Sequence, residues 1–535
     1  MKQTYINGNI YTMNGKEKAS AMIIDDGIIT SIGSNEDILS MLNKNSDIID
    51  LDNHTIIPGI NDCHLHVLQT AKQYEYIDLN NTFSIDDIIR IGKENLSKDQ
   101  NKWLLGKGWN QNNFKNPTIF TKDDLDKISK DIPIAFTRIC IHVTIVNSKA
   151  LELINEVADI YNPDSTLLKG HLDDIKNGVL KEKDQDILGQ FIAPNTNDEI
   201  KDLLIKMNPI FAQYGITSVQ SDDFSAFTNI DFETIIDVYK DLNANNLLTY
   251  KVYQQCALPN IEILSEFIGK GYKSLQDYQN YRLGPLKLYL DGSLGAWSAL
   301  INDGYKDAHT FGQSNYSDSA LTEICTYAQE EDMQIAIHGI GDKAVERILL
   351  AYSHLQEENI NNIHRHGIIH AQITTPRLVD NISRSKTCIY AQPIFVATDR
   401  HIVEQRVGKD KAATSYAFKQ MIEHGVKVGF STDAPVESIN PFENIYSAVT
   451  RKDPFHPSDK PFQDYDTIDI WDAIEAYTTT PAYLSFEEDK KGSLEKGKVA
   501  DFIVLDQDIF EIDSESIKDI QVLRTVIDGN LIYSK

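Results

Sequence analysis

The sequence predicts an α/β fold built around a closed barrel of eight parallel strands, each followed by a helix. Three observations predict it. Strand-like runs alternate with helical patterns through the middle of the chain, and the runs number eight. No glycine-rich phosphate fingerprint follows any of them, which counts against the alternative of a doubly wound open sheet. The full reading is a (β/α)8 TIM-type barrel, with a small β-sandwich made from both chain ends and an α+β domain inserted after the first barrel strand.

The ends come first. Residues 4–12, 19–33 and 47–52 read as short β-segments broken at Asn7-Gly8, Asp26-Gly27 and Gly33-Ser34, all turn-forming pairs. At the far end, 500–505 and 522–527, followed by Asp528-Gly529-Asn530, continue that style. Neither end carries enough apolar residues for its own core, so 1–55 and 491–535 are expected to meet in one sandwich domain. The barrel then comprises 56–71 and 196–490. Its first strand is the apolar run that ends at His64-Leu65-His66. The others fall at 216–222, 248–256, 284–291, 333–339, 366–371, 387–393 and 426–433. Helical patterns lie between them at about 231–244, 259–271, 317–331, 341–357, 374–385, 411–425 and 441–451. The stretch 72–195 is far too long for a strand-to-helix loop. It holds strand-like 103–109 and 132–146, a helix at 148–157 and a hairpin at Asn177-Gly178, and reads as an inserted domain capping the barrel mouth.

Bulk properties narrow the function. A 535-residue chain with 41% hydrophobic and 24% charged residues is an ordinary globular composition. The net charge of −28 opposes nucleic-acid binding and anionic membranes. No apolar stretch is long enough to cross a bilayer, and Met1-Lys2-Gln3-Thr4-Tyr5 leads into a strand rather than an apolar signal helix. The five cysteines, 63, 140, 256, 325 and 388, are odd in number and lack CxxC spacing. They read as reduced core thiols of a cytoplasmic protein, and alternation points Cys63 away from the neighbouring histidines.

Strand parity turns this frame into chemistry. Residues two apart on a strand share a face, so His64 and His66 point the same way from the strand's carboxyl end, with Asp62 below them. In 284–292, Lys287, Tyr289 and Asp291 share one face while the leucines take the other. His338 ends the inward face of 334–339, His370 repeats this on the next strand, and Asp433 ends the last one. Strands one, four, five, six and eight thus each place a ligand-type residue at the carboxyl rim, where barrel enzymes do their chemistry. Convergent imidazoles and a carboxylate suit a divalent metal. Taken singly, each residue has a structural explanation: a hydrogen-bonded histidine, a Lys287–Asp291 ion pair, a helix cap at Asp433. A buried lysine ammonium is costly unless it is paired or chemically altered.

These residues carry a resemblance that covers nearly the whole chain. Ile57-Pro58-Gly59-Ile60-Asn61-Asp62-Cys63-His64-Leu65-His66 resembles the first-strand signature of the amidohydrolase superfamily. Gly492-Ser493-Leu494-Glu495-Lys496-Gly497-Lys498-Val499-Ala500-Asp501-Phe502 resembles its C-terminal return. Within it, Leu286-Lys287-Leu288-Tyr289-Leu290-Asp291-Gly292-Ser293-Leu294-Gly295, the long insertion after His66, and Asn147-Ser148-Lys149-Ala150-Leu151 after His142 are similar to the amidohydrolase 3 family, the branch containing N-substituted formamide deformylase. The resemblance implies that His64, His66, Lys287, His338, His370 and Asp433 are metal ligands. It also implies that Lys287 is carboxylated by CO2 to a carbamate bridging two metals, with a one-metal site if it is not. Zn is the expected ion, although Mn, Fe or Ni would suit the same ligands.

The expected reaction is hydrolysis of a non-peptide C–N bond by metal-activated hydroxide, with Asp433 as general base and then general acid. The branch favours a neutral N-substituted amide or formamide. Deamination and cyclic-amide opening remain alternatives, as does a binding or regulatory protein that only uses the metal site. Trp109, Arg138 and His142 are candidates for the mouth, and Asp291 and Gln392 for the pocket. A small-molecule substrate is expected, with no nucleic acid or membrane partner; a homodimer follows only by analogy.

Overall fold

The structure, a computed structural model, describes residues 2–42, 47–97, 102–139, 143–158, 172–192, 194, 196–227, 229–356 and 362–535. The chain divides into two compact units, one of 1–69, 201–226 and 230–535, the other of 70–200 with 227–229.

The larger unit contains eight parallel strands in chain order: β1 Ile60–Leu65, β2 Ile216–Ser221, β3 Lys251–Ala257, β4 Tyr281–Tyr289, β5 Ile335–Gly339, β6 Gly367–His370, β7 Cys388–Ala391 and β8 Val428–Phe430. Each pairs in parallel with the next. The ring is drawn together beyond β8, where Asp433 N–H donates to His64 O at 3.0 Å and His66 N–H donates to Ala434 O at 2.8 Å. The nearly closed sheet is the TIM-type barrel that the strand count predicts. Toward the amino ends of β4 and β5 it is plugged by the helix Thr479–Leu484, whose carbonyls accept from Gln220 and Gln334. The opposite end is left for the site.

The helices Phe232–Ala244, Ile261–Gly269, Asp318–Glu330, Asp342–Gln356, Pro376–Ser385 and Pro441–Thr450 lie where the apolar periodicity puts them. Five are started by a side chain that accepts a free backbone N–H: Asp231, Asn260, Ser317, Thr375 and Asn440. The expected helix at 411–425 is a correction. It is broken into Lys409–Ala412 and Phe418–Glu423, because Tyr416 adopts φ 55° between them. That residue is held by its N–H to Gln372 O and its hydroxyl to Asp399, both at 2.7 Å.

Both chain ends form sheets. One runs Ile28–Gly33, Ala21–Asp25, Gln3–Ile6, Asp47–Asp50; the other runs Asn530–Ser534, Val522–Ile527, Phe502–Leu505, Thr55–Pro58, Asn9–Tyr11, Lys18–Ala19. Their side chains meet in one cluster, with Tyr5, Met22 and Ile24 from the first and Ile56, Phe502 and Val526 from the second. Each such side chain contributes about 1.5–3 kcal/mol when fully buried, a core that neither end could assemble alone.

The smaller unit has a five-stranded sheet in the order Val179–Lys181, Val143–Val146, Ile134–Arg138, Leu104–Trp109, Ile77–Asp78. Asn177-Gly178 makes no hairpin there. Gly178, at φ 81°, ends the helix Leu172–Lys176 just before Val179–Lys181, and a Cβ on it would meet Val146 O at 2.2 Å. Among the described residues no helix is long and apolar enough to cross a membrane.

Candidate metal centre

Four imidazoles, a lysine and a carboxylate gather at the carboxyl ends of the barrel strands. His64 Nε2 and His66 Nε2 lie 3.4 and 3.3 Å from Asp433 Oδ1. One ligand atom from each of His64, His370 and Asp433 falls within 4.8 Å of the other two. The His338 ring is 4.5 Å from that of His370, and Lys287 Nζ stands 4.5 Å over the Tyr289 ring, itself 5.6 Å from His338. All six residues are nine-tenths or more buried.

Every histidine is anchored through Nδ1. His64 meets Gln255 Oε1 at 2.7 Å, His66 the Asp222 carbonyl at 3.1 Å, His338 Asp291 Oδ1 at 3.1 Å, and His370 Gln392 Oε1 at 2.8 Å. The two glutamine amides donate elsewhere, Gln255 to Cys63 O and Gln392 to Tyr390 O and Ser431. Their oxygens must therefore accept, which puts the proton on Nδ1 and leaves Nε2 with a free lone pair. This outer ring fixes tautomer and direction together.

Electrostatics favours the neutral ring where it is wanted. Burial, with the Lys287 charge and neighbouring imidazoles, holds His64 well below the usual histidine value; burial, then His338 and Lys287, does the same for His370. His66 differs: burial lowers it, but the Asp433 and Asp222 charges outweigh that and leave it raised. Burial brings the Lys287 ammonium down to about 8, against the opposing pull of Asp222 and Asp433. Lys287 Nζ and Asp433 Oδ1 are both buried without a hydrogen-bond partner. Two orphaned groups of opposite type among four aimed lone pairs are poor structural chemistry and good ligand chemistry. Beneath them, Asp62 accepts from His64 N–H, Thr432 N–H and Thr432 Oγ, tying β1 to the segment that carries Asp433. Burial pushes its carboxyl up to about 7.

Two positions depart from simple alternation. The register between β1 and β2 shifts after Asp62, so Cys63 does not face outward as expected. It packs inside the barrel with Ala336, Ile369 and Tyr390, and burial keeps its thiol well above the usual range. His370 is paired opposite Gly339, one place past the inward Ile369, and a φ of 81° swings it into the site.

The other residues singled out from sequence sit as follows. Asp291 gives both oxygens to donors, His338 and Ile340 N–H on one, Leu300 and Gly341 N–H on the other. Gln392 is occupied with His370. Trp109 is wholly buried in the smaller unit, where its indole N–H donates to Phe136 O and its ring packs on Phe120. Arg138, in the same unit, bonds Gln111 and Asn110. His142 lies outside the described residues. Gln255 and Asp222 escaped the sequence reading; the signal was present as polar runs at the ends of β2 and β3, Gln220-Ser221-Asp222-Asp223 and Gln254-Gln255.

Comparison with known proteins agrees with this geometry. Residues 47–533 match the model of the amidohydrolase family. The chain is 29% identical to the Bacillus subtilis protein YtcJ over the whole of both chains. It is 22% identical to the N-substituted formamide deformylase of Arthrobacter pascens, covering 99% of this chain and 98% of that one. Among solved structures, an uncharacterized metal-dependent hydrolase from Pyrococcus horikoshii superposes with a TM-score of 0.79 at 26% identity, covering 96% of this chain and 99% of the other. With that match spanning nearly the whole chain, from the end sheets through the metal centre, the protein belongs to the amidohydrolase family, as a metal-dependent hydrolase of carbon–nitrogen bonds other than peptide bonds.

Proposed function

We propose that the protein hydrolyses a neutral N-substituted amide or formamide at a centre of one or two divalent ions. His64, His66, His338, His370, Asp433 and Lys287 would hold them, and the nitrogen-rich set is best matched by Zn. The observation that carries this reading is the Lys287 amine, buried, unpartnered and brought down to about 8. A neutral amine is the form that adds CO2. The nitrogen–carbon bond forms, one proton leaves, and an anionic carbamate replaces the costly buried cation. A divalent ion held by this set would supply a water acidic enough to give hydroxide near neutral pH and would polarise the substrate carbonyl.

The chain's own residues do the rest. Asp433 Oδ1, free of hydrogen bonds, would take the proton of the attacking water and return it to the departing nitrogen. The acyl carbon gains the hydroxyl, the C–N bond breaks, and the amine leaves with the proton. Gln255, Asp222, Asp291 and Gln392 keep the imidazoles aimed during turnover. The name of the Arthrobacter relative favours formamides among the possible amides. The test is a screen of N-formyl and N-acetyl amines against the metal-loaded protein and its Asp433→Ala variant. Hydrolysis by the wild type, reduced at least about 100-fold in a variant that retains most metal, is expected. Wild-type turnover by Asp433→Ala would remove the acid–base role.

A further inference from the structure

The short helix Phe395–Asp399, which follows β7, ties the metal centre to the rim. Phe395 stacks its ring on that of His370, with centroids 5.9 Å apart and planes at 19°. One turn along, Thr398 donates its hydroxyl to Glu437 Oε1 at 3.0 Å. Glu437 follows the turn that begins at Asp433 and is closed by Val436 N–H on Asp433 O at 2.9 Å. A carboxylate thus stands just beyond Asp433 and beside the helix that covers His370.

Among the described residues this carboxylate has no ion-pair partner. Glu437 is half-buried, and among the described residues no lysine, arginine or histidine nitrogen lies within 4.0 Å of it. Arg400, two residues past Thr398, turns Nη2 toward Asp459 at 4.0 Å, and its Nη1 is buried without a hydrogen-bond partner. The neighbouring carboxylates are already engaged, Asp399 by the Tyr416 hydroxyl and Asp453 by His456 at 2.8 Å. Burial, against the Thr398 hydrogen bond and with the Asp399, Asp433 and Asp453 charges, pushes Glu437 up to about 7. Val436, its chain neighbour, is 64% exposed, and Phe455, whose N–H donates to Asp453 at 2.8 Å, is 59% exposed. A half-buried acid with no cation within 4.0 Å among the described residues, four residues beyond Asp433 and next to an exposed valine, is complementary to an organic cation.

We propose that Glu437 is a specificity-determining residue that selects substrates carrying a protonated amine next to an apolar chain. This rests on the amide-hydrolase reading above and names the class of amide: one whose acyl or amine half bears a second, cationic nitrogen. Thr398 positions the carboxylate, and Val436 lines the hydrocarbon beside it.

The test is equilibrium binding of hexylammonium chloride and of 1-hexanol to the metal-loaded protein at mildly alkaline pH and fixed ionic strength. The wild type is expected to bind the cation at least about tenfold more tightly than the alcohol, the size of a charge-assisted hydrogen bond in a partly dry site. Glu437→Gln, or Glu437→Ala where the first variant folds poorly, is expected to bind the two alike. Equal binding by the wild type overturns the proposal. A cation preference that survives in both variants also overturns it, because the charge would then be read by another group. The readout is binding, so a protein that cleaves no amide still gives an answer: a Glu437-dependent preference without turnover would count against the amide reading alone.

Discussion

Gln255→Leu removes the amide that fixes His64. Gln255 Oε1 accepts from His64 Nδ1 at 2.7 Å, and its Nε2 donates to Cys63 O at 3.1 Å. Leucine nearly fills the same volume, so the perturbation lies in hydrogen bonding rather than in a cavity. One buried ring N–H and one buried carbonyl lose their partners, at about 1–3 kcal/mol each, so stability should fall by roughly 2–6 kcal/mol. A second effect is separate. Without its acceptor the imidazole is free to move its proton to Nε2, the nitrogen that faces Asp433 at 3.4 Å. Lost outer partners of metal-binding histidines typically cost about 10–100-fold in metal affinity. Gln255→Glu divides the two effects: it loses the donor to Cys63 O yet retains an acceptor for His64. Competition with a chromophoric chelator should therefore show weakened metal binding in Gln255→Leu and near wild-type binding in Gln255→Glu, while urea unfolding shows both destabilised. Wild-type metal affinity in Gln255→Leu would refute the claim that the amide orients this ring.

Two further outcomes follow from buried groups. Lys287→Ala should lose at least one metal equivalent, and a short carboxylic acid such as propionate should restore part of it by standing in for the carbamate; full loading without the acid would remove the bridging role. His366 accepts from Ile335 N–H through Nδ1 and contacts Gln329 through Nε2, so the fold holds a neutral ring, and burial lowers its pKa to about 3. An unfolded histidine titrates near 6.5, so the unfolded chain binds a proton that the folded one refuses below that pH. This stability is intact above about 6.5 and is lost as pH falls toward 3, roughly 2 kcal/mol by pH 5. Urea midpoints at neutral and acid pH should show the loss, and His366→Gln should show a shallower pH dependence than the wild type.

The barrel was legible because its strands are buried runs that alternate with helical patterns and most of its helices begin at Asp, Asn, Ser or Thr caps, all local signals. Lys287 and His338 sit on the faces that period-two alternation assigns to them. Alternation failed where the backbone leaves the regular strand. The register shift after Asp62 turned Cys63 inward, and the left-handed turn at His370 placed that ring on the inner side from an off-face position. The break at Tyr416 was equally hidden, since the partners that hold it, Gln372 and Asp399, lie on other segments. The outer anchors are the hardest to read. Gln255 is 191 residues from His64 and Asp222 is 156 from His66, so only the closed ring brings them together.

The most direct test of the account is the metal content per chain, by elemental analysis of protein purified without added metal or chelator. The account predicts about two equivalents of a divalent transition metal, Zn foremost, together with loss of hydrolysis on chelation and its return on adding metal with bicarbonate. Protein that holds no metal, and takes up none when Zn or Mn is supplied under bicarbonate, would contradict it.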